Sequence, residues 1–259
     1  MQIPIGDILN VLAAGLLFPA SLIPLAALVR GRMKSAIVFA LLVFGIVAAA
    51  YVFSSLAVDL EPLRAPAALI AGFAASVFVL FLVVARMGAA PLMARALPVI
   101  EAVVRGIGRL SIWLVLAMAA IQFAGVILRY VFGVNFIAMQ ESVTYLHGAV
   151  FLLAGGYALI TDDHVRVDIF YREASPRRKA IVNLAGTYLF LLPFCFVALW
   201  AAAPYVGNSW AVREGSIEQS GIKGVYLLKS LIPIYLTLLA LAGVAMAARA
   251  SATLAQRDG

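Results

Sequence analysis

The polar segment ITDDHVRVDIFYREASPRRK, at residues 160–179 between two long apolar stretches, contains residue types that bind metal ions. His164 and Asp168 are four residues apart, so on a helix they would lie on one face as two possible ligands. However, apolar and polar residues alternate from 165 to 169, which is typical of an extended segment. Two ligands do not make a metal site. We therefore predict a structural loop without a metal ion, with His164, Arg166 and Asp168 as its candidate residues.

A second group of ionisable residues stands near the ends of apolar stretches: Arg129, Glu141, His147 and Lys229. Arg129 and Glu141 flank the short segment YVFGVNFIAMQ, which leaves two interpretations open. In the first, they form a buried ion pair at a subunit contact. In the second, their role is structural, either as a loop-closing pair or with Arg129 extended to the membrane surface. Glu141 would also suit the positive N-terminal end of a helix. All four residues lie within about two turns of a span end, so none is placed to bind a solute at mid-depth.

His147 lies deeper in its apolar stretch than the other three. A proton relay would need an acid at the same depth, whereas the sequence offers only Glu141, about two turns nearer the surface. We therefore predict a structural role, in which neutral imidazole donates a hydrogen bond to a neighbouring helix. Gly148 and Gly155 follow on one side of the same segment. Because small residues let helices approach closely, we expect this face to pack against protein.

The composition indicates an integral membrane protein. Of 259 residues, 65% are hydrophobic and 12% are charged, against about a quarter charged in soluble domains, and the mean hydropathy is +1.07. The net charge of +7 does not indicate nucleic acid, since the basic residues stand in short loops beside apolar stretches. The single cysteine, Cys195, excludes a disulfide framework. No nucleophile elbow, phosphate loop or zinc motif is present, so we predict neither an enzyme nor a bound cofactor.

Seven stretches are long enough to cross the hydrocarbon core, which takes about twenty apolar residues. In lipid each must be a helix, because only a helix satisfies its own backbone groups. The first stretch lacks the basic head of a signal peptide, so we predict a retained membrane helix. Pro19, Pro24, Pro193 and Pro233 predict local kinks. The predicted spans are 7–29, 35–58, 66–85, 110–132, 140–160, 180–206 and 226–248.

The loops predict the orientation of these spans. Fourteen basic residues fall on one side of the membrane and five on the other. Because basic residues near span ends stay in the cytoplasm, we expect a periplasmic N-terminus and a cytoplasmic C-terminus. The segment 160–179 would then lie in the cytoplasm.

Residues 87–109 contain more charged residues than the predicted spans on either side of them. After Pro98, apolar residues recur at helical spacing, while Glu101, Arg105 and Arg109 form the opposite face. This pattern predicts an amphipathic helix lying in the cytoplasmic interface, with a plain linker as the alternative. It divides an extension with three spans (1–86) from a region with four (110–259). No inverted repeat relates the two parts.

Three segments resemble, in order and spacing, the small membrane subunit of tripartite ATP-independent periplasmic (TRAP) transporters. They are RYVFGVNFIAMQESVTYLHGAVFLLAGGYAL, DDHVRVDIFY with SPRRK, and EGSIEQSGIKGVYLLKSLIPIYLTLLALAG, and the resemblance covers about residues 109–250. It implies a four-helix unit, with both ends in the cytoplasm, packed on the static scaffold of a large permease subunit. That subunit carries the solute and Na⁺ sites, and a periplasmic solute-binding protein supplies it. By this resemblance His164 and Asp168 belong to the cytoplasmic loop and Glu141 to the start of the second helix, and none contacts solute.

We therefore expect a non-catalytic subunit of an ion-driven symport system for organic acids in a bacterial inner membrane. Its expected partners are the large permease subunit, the solute-binding protein and membrane lipid. The alternative is a membrane anchor or haem-binding redox subunit that uses His147 and His164. The extension 1–86 has no counterpart in the family pattern, and it would extend the scaffold, shield it from lipid or bind a further partner.

Overall fold

The computed structural model describes residues 5–56, 67–163 and 171–256. Within these ranges every regular element is helical. The helices are α1 (Ile5–Leu12), α2 (Phe18–Ser21), α3 (Ile23–Ala26), α4 (Arg32–Leu56), α5 (Ala67–Met87), α6 (Ala89–Val131), α7 (Ile137–Thr161), α8 (Pro176–Gly186), α9 (Leu192–Ala211) and α10 (Val225–Ala255), with π-helical turns at Ala13–Leu17 and Thr187–Leu191.

Each of the seven predicted spans overlaps helical residues, as expected for apolar segments that must satisfy their own backbone groups. Within the described ranges, five helical runs are long and apolar enough to cross a membrane, and Phe73–Met87 is a shorter apolar helix. The protein therefore has transmembrane helices, while the count of seven stays a prediction. The five runs are Ile8–Ala26, Ala89–Val131, Ile137–Thr161, Pro176–Ala211 and Val225–Ala255.

The predicted amphipathic segment and the predicted fourth span are continuous in the structure. Helix α6 runs without interruption from Ala89 to Val131, so the amphipathic segment and the fourth span form one helix of 43 residues, about 65 Å long at 1.5 Å per residue. The amphipathic pattern correctly indicated a helix, and Glu101 pairs with Arg105 on it at 3.6 Å. Such a pattern identifies the face of a helix but not its end. No proline follows Pro98 within α6 to end it.

Two of the proline sites predicted to kink show local departures from α-helical geometry. Each is preceded by a π-helical turn, at Ala13–Leu17 before Pro19 and at Thr187–Leu191 before Pro193. A proline has no N–H and its ring crowds the carbonyl four residues earlier, so a wider turn accommodates it. For Pro19 that carbonyl belongs to Gly15, and the Ser76 hydroxyl of α5 donates a hydrogen bond to it.

The chain forms two compact units. The first comprises Met1–Leu9, Ile100–Val165 and Phe194–Gly243, and the second comprises Asn10–Val99, Arg166–Pro193 and Val244–Gly259. The domain boundaries predicted at 86 and 109 stay a prediction.

In the first unit, glycines bring α7 against α10. A Cβ at Gly148 would lie 3.1 Å from Leu228 Cδ1, and a Cβ at Gly155 would lie 2.6 Å from Tyr235 Cε2. In both pairs the α10 residue follows the α7 glycine by the same number of residues. The two helices therefore run parallel, with their side chains in register. Helix α10 is the most enclosed of the five spanning runs, with 56% of its apolar window buried, and α7 packs on it at its smallest residues.

In the second unit, residues of the extension pack on α8 and on the end of α10. Leu25 lies on a buried cluster formed by Ala180, Leu184 and Ala250. The Tyr188 hydroxyl donates a hydrogen bond to the Ser21 carbonyl at 2.6 Å. These contacts bind α2 and α3 to the C-terminal half of the chain.

Replacing Gly156 by valine tests the α7–α10 contact, because an added Cβ would lie 3.0 Å from the Leu238 backbone carbonyl oxygen. Backbone atoms cannot move aside as the end of a side chain can, so we expect a loss of about 1–3 kcal/mol in unfolding free energy. Thermal unfolding in detergent, followed by circular dichroism, measures the loss. Gly186→Val is the matched control, since a Cβ there meets nothing within 4 Å. Equal destabilisation by both variants would contradict this role of Gly156.

Candidate functional site

The polar side chains of the first unit gather where α7 and α10 begin, around the loop of residues 212–224 that connects α9 to α10. The Glu141 carboxylate in the first turns of α7 accepts two hydrogen bonds from this loop. One comes from the Ser216 hydroxyl and the other from the Ile222 backbone N–H, at 2.6 Å. Hydrogen bonds that involve an ionised group are roughly twice as strong as neutral ones. Glu141 therefore attaches the loop to a helix that precedes it by about seventy residues.

Only glycine fits at position 221 of this loop. A Cβ on Gly221 would lie 2.5 Å from Ser216 Cβ and 2.7 Å from Glu141 Oε1. Two backbone hydrogen bonds also close the loop around Gly221. Ser216 N–H donates to the Ile222 carbonyl at 3.1 Å, and Gly221 N–H donates to the Glu218 carbonyl at 3.0 Å. The loop thus has a compact structure of its own.

A second carboxylate attaches the loop to α10. Lys229 Nζ lies 2.5 Å from Glu214 Oε2 and 4.1 Å from the centroid of the Tyr205 ring. The Lys229 side chain is 16% exposed and the Glu214 side chain 37%, so α10 and the Tyr205 ring enclose the ammonium group while the carboxylate stays near solvent. The hydrogen bond from Lys229 is the main cause that lowers the pKa of Glu214 below its ordinary value.

The two helices that flank the loop are also bonded to each other. Trp210 Nε1 on α9 donates a hydrogen bond to the Ser230 hydroxyl of α10 at 2.8 Å. The Trp210 ring contacts the Tyr226 ring edge to face, with centroids 4.7 Å apart. Aromatic groups with one polar atom suit the level at which a membrane meets water. The end of the unit is therefore held by contacts of the loop with α7 and α10, at Glu141 and Lys229, and by contacts between α9 and α10 at Trp210.

Arg129 does not pair with Glu141. The described residues contain no ion pair between them, since the Glu141 carboxylate is bonded to Ser216 and Ile222 and the Arg129 side chain is exposed. The loop-closing pair is therefore absent for a packing reason, while the exposed Arg129 agrees with the alternative in which this side chain extends to the membrane surface. The parallel contact of α7 with α10 places the 212–224 loop over Glu141, and that loop supplies the donors.

His147 is exposed on α7, and its ring contacts Phe151 on the same helix, with centroids 4.7 Å apart. The predicted hydrogen bond from His147 to a neighbouring helix is absent within the described residues. Gly148 and Gly155 contact α10 of the same chain, so at these positions the small face of α7 faces the chain's own helix.

Three candidate residues, His164, Arg166 and Asp168, lie outside the described residues. On either side of them, α7 ends at Thr161 with Asp162 in the left-handed conformation (φ 64°), and Ser175 caps α8 by accepting a hydrogen bond from Arg178 N–H. In the described part of the chain, no three histidine, cysteine, aspartate or glutamate residues stand close enough to hold a metal ion. Nothing in the described structure supports a redox or haem-binding subunit.

Sequence reasoning missed most of the groups that hold the loop: Tyr205, Trp210, Glu214, Ser216, Gly221 and Ser230. The available signal was the run EGSIEQSGIKG, in which acids, serines and glycines separate two apolar stretches. Polar runs of this kind mark loops. The particular partners of Glu141 and Lys229 cannot be read from the run itself.

Replacing Glu141 by alanine should free the loop. The variant leaves the Ile222 N–H and the Ser216 hydroxyl without their acceptor, and hydrogen bonds to a charged group are stronger than those between neutral groups. We therefore expect the Ile222 amide to exchange its hydrogen at least about tenfold faster, measured by hydrogen–deuterium exchange mass spectrometry of the loop peptides.

Glu218→Ala is the matched control for Glu141→Ala, because Glu218 is an exposed acid of the same loop whose backbone, not its carboxylate, makes the hydrogen bonds. Its loop peptides should exchange as in the parent chain. Unchanged exchange in Glu141→Ala would show that the carboxylate does not hold the loop.

The lowered pKa of Glu214 predicts how the loop responds to acid. A carboxylate whose pKa is lowered by folding stabilises the folded state above its unfolded pKa, and this contribution is lost as pH falls through the folded pKa. The Glu214 link should therefore persist at pH 4.5, the ordinary value for this carboxyl, and break only at lower pH. In Lys229→Gln, the midpoint pH at which this link breaks should move upward, because the hydrogen bond that lowers the pKa of Glu214 is weakened.

Trp210 fluorescence reports this transition once Trp113 and Trp200 have been replaced by phenylalanine. Arg213→Gln serves as the control, because Arg213 is exposed beside Glu214 and its replacement should leave the midpoint unchanged. The same midpoint in the parent chain and in Lys229→Gln would contradict the assignment.

A family model matches the part of the chain that contains this site. The family model described as "Tripartite ATP-independent periplasmic transporters, DctQ component" matches residues 118–253, more than half of the chain. The matched region contains α7, α8, α9, the 212–224 loop and the greater part of α10. Neither the curated proteins nor the solved structures gave a match.

Proposed function

The chain belongs to the DctQ family of TRAP transporter components, and we propose that it is the non-catalytic small subunit that supports the scaffold of a large permease subunit. Membership makes it a membrane subunit of a TRAP transporter, and the TRAP assembly comprises a large permease and a solute-binding protein. We further propose that the complex takes up an organic acid by ion symport across a bacterial inner membrane. In this proposal the N-terminus is periplasmic and the C-terminus is cytoplasmic.

The observation that carries the proposal is the position of the ionic groups in the matched region. Glu141 and Lys229 lie near the beginnings of α7 and α10, where they are bonded to the 212–224 loop, and Glu214 belongs to that loop. Helix α9 contains no charged residue at all. A carrier for a charged solute or for Na⁺ needs polar or ionisable groups near the middle of the membrane. A chain that uses its charges to hold a loop is built as a support, so a second membrane subunit must carry the solute.

The uncovered helix surfaces favour one side for that second subunit. Only 6% of the apolar window of α6 and 11% of that of α7 is buried within the chain. These helices expose large aromatic side chains, among them Trp113 at 69%, Phe123 at 68% and Phe151 at 68%. Interfaces are rich in aromatic residues. We assign the permease contact to this α6–α7 surface.

The extension supports the same assignment, because it covers part of α8 and α9, which form the alternative surface for the permease. At the start of α1, a Cβ on Gly6 would lie 2.9 Å from the Ala203 carbonyl oxygen, and a Cβ on Gly207 would lie 3.1 Å from the Gly6 nitrogen. Helices cross this closely only at glycine. Residues 5–26 thus pack on α9 here, on α8 through Leu25, and on the π-helical turn Thr187–Leu191 through Ser21. Of the three roles open to the extension, we propose that it extends the scaffold.

Co-purification with the large permease tests the proposed surface. The double variant Phe123→Ala, Phe151→Ala should reduce recovery of the complex about tenfold or more, because buried aromatic anchors contribute about 2 kcal/mol or more each at interfaces. The matched control is Phe190→Ala, Phe194→Ala, which removes two exposed phenylalanines from the run Pro176–Ala211. Equal recovery in the two double variants would reject the surface.

Reconstitution tests the function itself. The chain alone in liposomes should not transport an organic acid, whereas the assembled complex with its solute-binding protein should do so in a sodium gradient. Solute uptake by the chain alone would overturn the proposed supporting role.

A further inference from the structure

A cavity of about 210 Å³ lies in the first unit where α6 ends and α7 begins. Its lining divides into a polar part and an apolar part. Arg129, Asn135 and Gln140 belong to the polar part, and Ile121 and Val126 to the apolar part. The cavity is separate from the polar groups that hold the 212–224 loop, and it has no part in the function proposed above.

The polar part is suited to an anion with several oxygen atoms. Arg129 is exposed and forms no ion pair within the described residues, so its guanidinium retains its five N–H donors for a ligand. Gln140 Nε2 donates a hydrogen bond to Asn135 Oδ1 at 3.0 Å, which orients the Asn135 amide and leaves its NH₂ group as a further donor. A planar guanidinium matches two oxygens of a phosphate at once.

The level of the cavity along the helices is indicated by its aromatic neighbours. Tyr130 is 80% exposed, Phe132 is 65% exposed and Phe136 is 54% exposed. Exposed aromatic residues at the end of a membrane helix lie at the level of the lipid headgroups. The apolar lining at Ile121 and Val126 comes from earlier turns of α6 and therefore lies deeper in the hydrocarbon.

We infer that this cavity binds the phosphodiester of a membrane phospholipid, with its acyl chains along the apolar part of the lining. The amphipathic lining distinguishes this ligand from a free anion, which would occupy only the polar part of the cavity. In the chain without the permease, a lipid also reaches the cavity directly, because α6 and α7 are the least covered of the spanning helices. On the predicted orientation the lipid belongs to the periplasmic leaflet. The inference does not rest on the function proposed above.

The test is lipid retention by the full-length chain. Purified protein is reconstituted in nanodiscs that contain phosphatidylglycerol and diacylglycerol with the same acyl chains, then extracted in detergent and analysed by native mass spectrometry. We expect phosphatidylglycerol to be retained and diacylglycerol, which lacks the phosphate, to be lost. Inorganic phosphate at millimolar concentration should not displace the retained lipid.

Arg129→Gln should reduce the affinity for phosphatidylglycerol about tenfold, which is about 1.4 kcal/mol. Arg129→Lys keeps the charge without the paired donors, and it should give an intermediate loss. Asn135→Ala should also weaken retention. Arg213→Gln is the matched control, since it removes an exposed arginine that does not line the cavity, and it should retain lipid as the parent chain does.

Three results would overturn the inference. Equal retention in the parent chain and in Arg129→Gln would mean that the lipid only surrounds the protein. Displacement by inorganic phosphate would mean that the cavity holds a free anion. If Arg129→Gln retains lipid unchanged but no longer co-purifies with the large permease, the arginine pairs with an acidic side chain of that subunit and not with lipid. Circular dichroism of each variant excludes loss of folding as the cause.

Discussion

The close parallel contact between α7 and α10 is the interaction on which the rest of the first unit depends. Gly148 and Gly155 bring the two helices together in register. This registration places the beginning of α7 beside the segment that leads into α10. Glu141 then lies within hydrogen-bond distance of Ser216 and Ile222. A larger side chain at these glycines would separate the helices and remove the acceptor from its donors.

Several ionic groups of the described residues stand at or beside helix ends and are bonded there. In the hydrocarbon an unpaired charge or backbone group costs several kcal/mol. Glu214 and Lys229 satisfy each other beside the Tyr205 ring. Arg30 donates from the extension to the carbonyl of Ala255 at the last turn of α10, at 3.2 Å, where the helix dipole favours a cation. These bonds stabilise structure, which agrees with a subunit that leaves solute binding to a partner.

A proline of the first spanning run is also accommodated by a bond from another element. Pro19 has no N–H for the carbonyl of Gly15, and the Ser76 hydroxyl supplies the missing donor from α5. The π-helical turn before it provides space for the ring. Because this donor comes from another helix, the proline is also a point of attachment between helices. The extension is therefore bonded as well as packed, in keeping with an enlarged scaffold.

The sequence by itself determined the class of the protein, its helical segments and its family. In the hydrocarbon a single segment can satisfy its own backbone groups only as a helix. The length of an apolar stretch is therefore sufficient to predict a helix. Only the tertiary structure decided where α6 begins and which donors Glu141 receives. Arg129 is twelve residues from Glu141 in sequence, whereas Ser216 is seventy-five away and is the one bonded to it. Sequence spacing predicts proximity along one helix, but contacts between helices depend on how their surfaces pack, and here glycines set that packing.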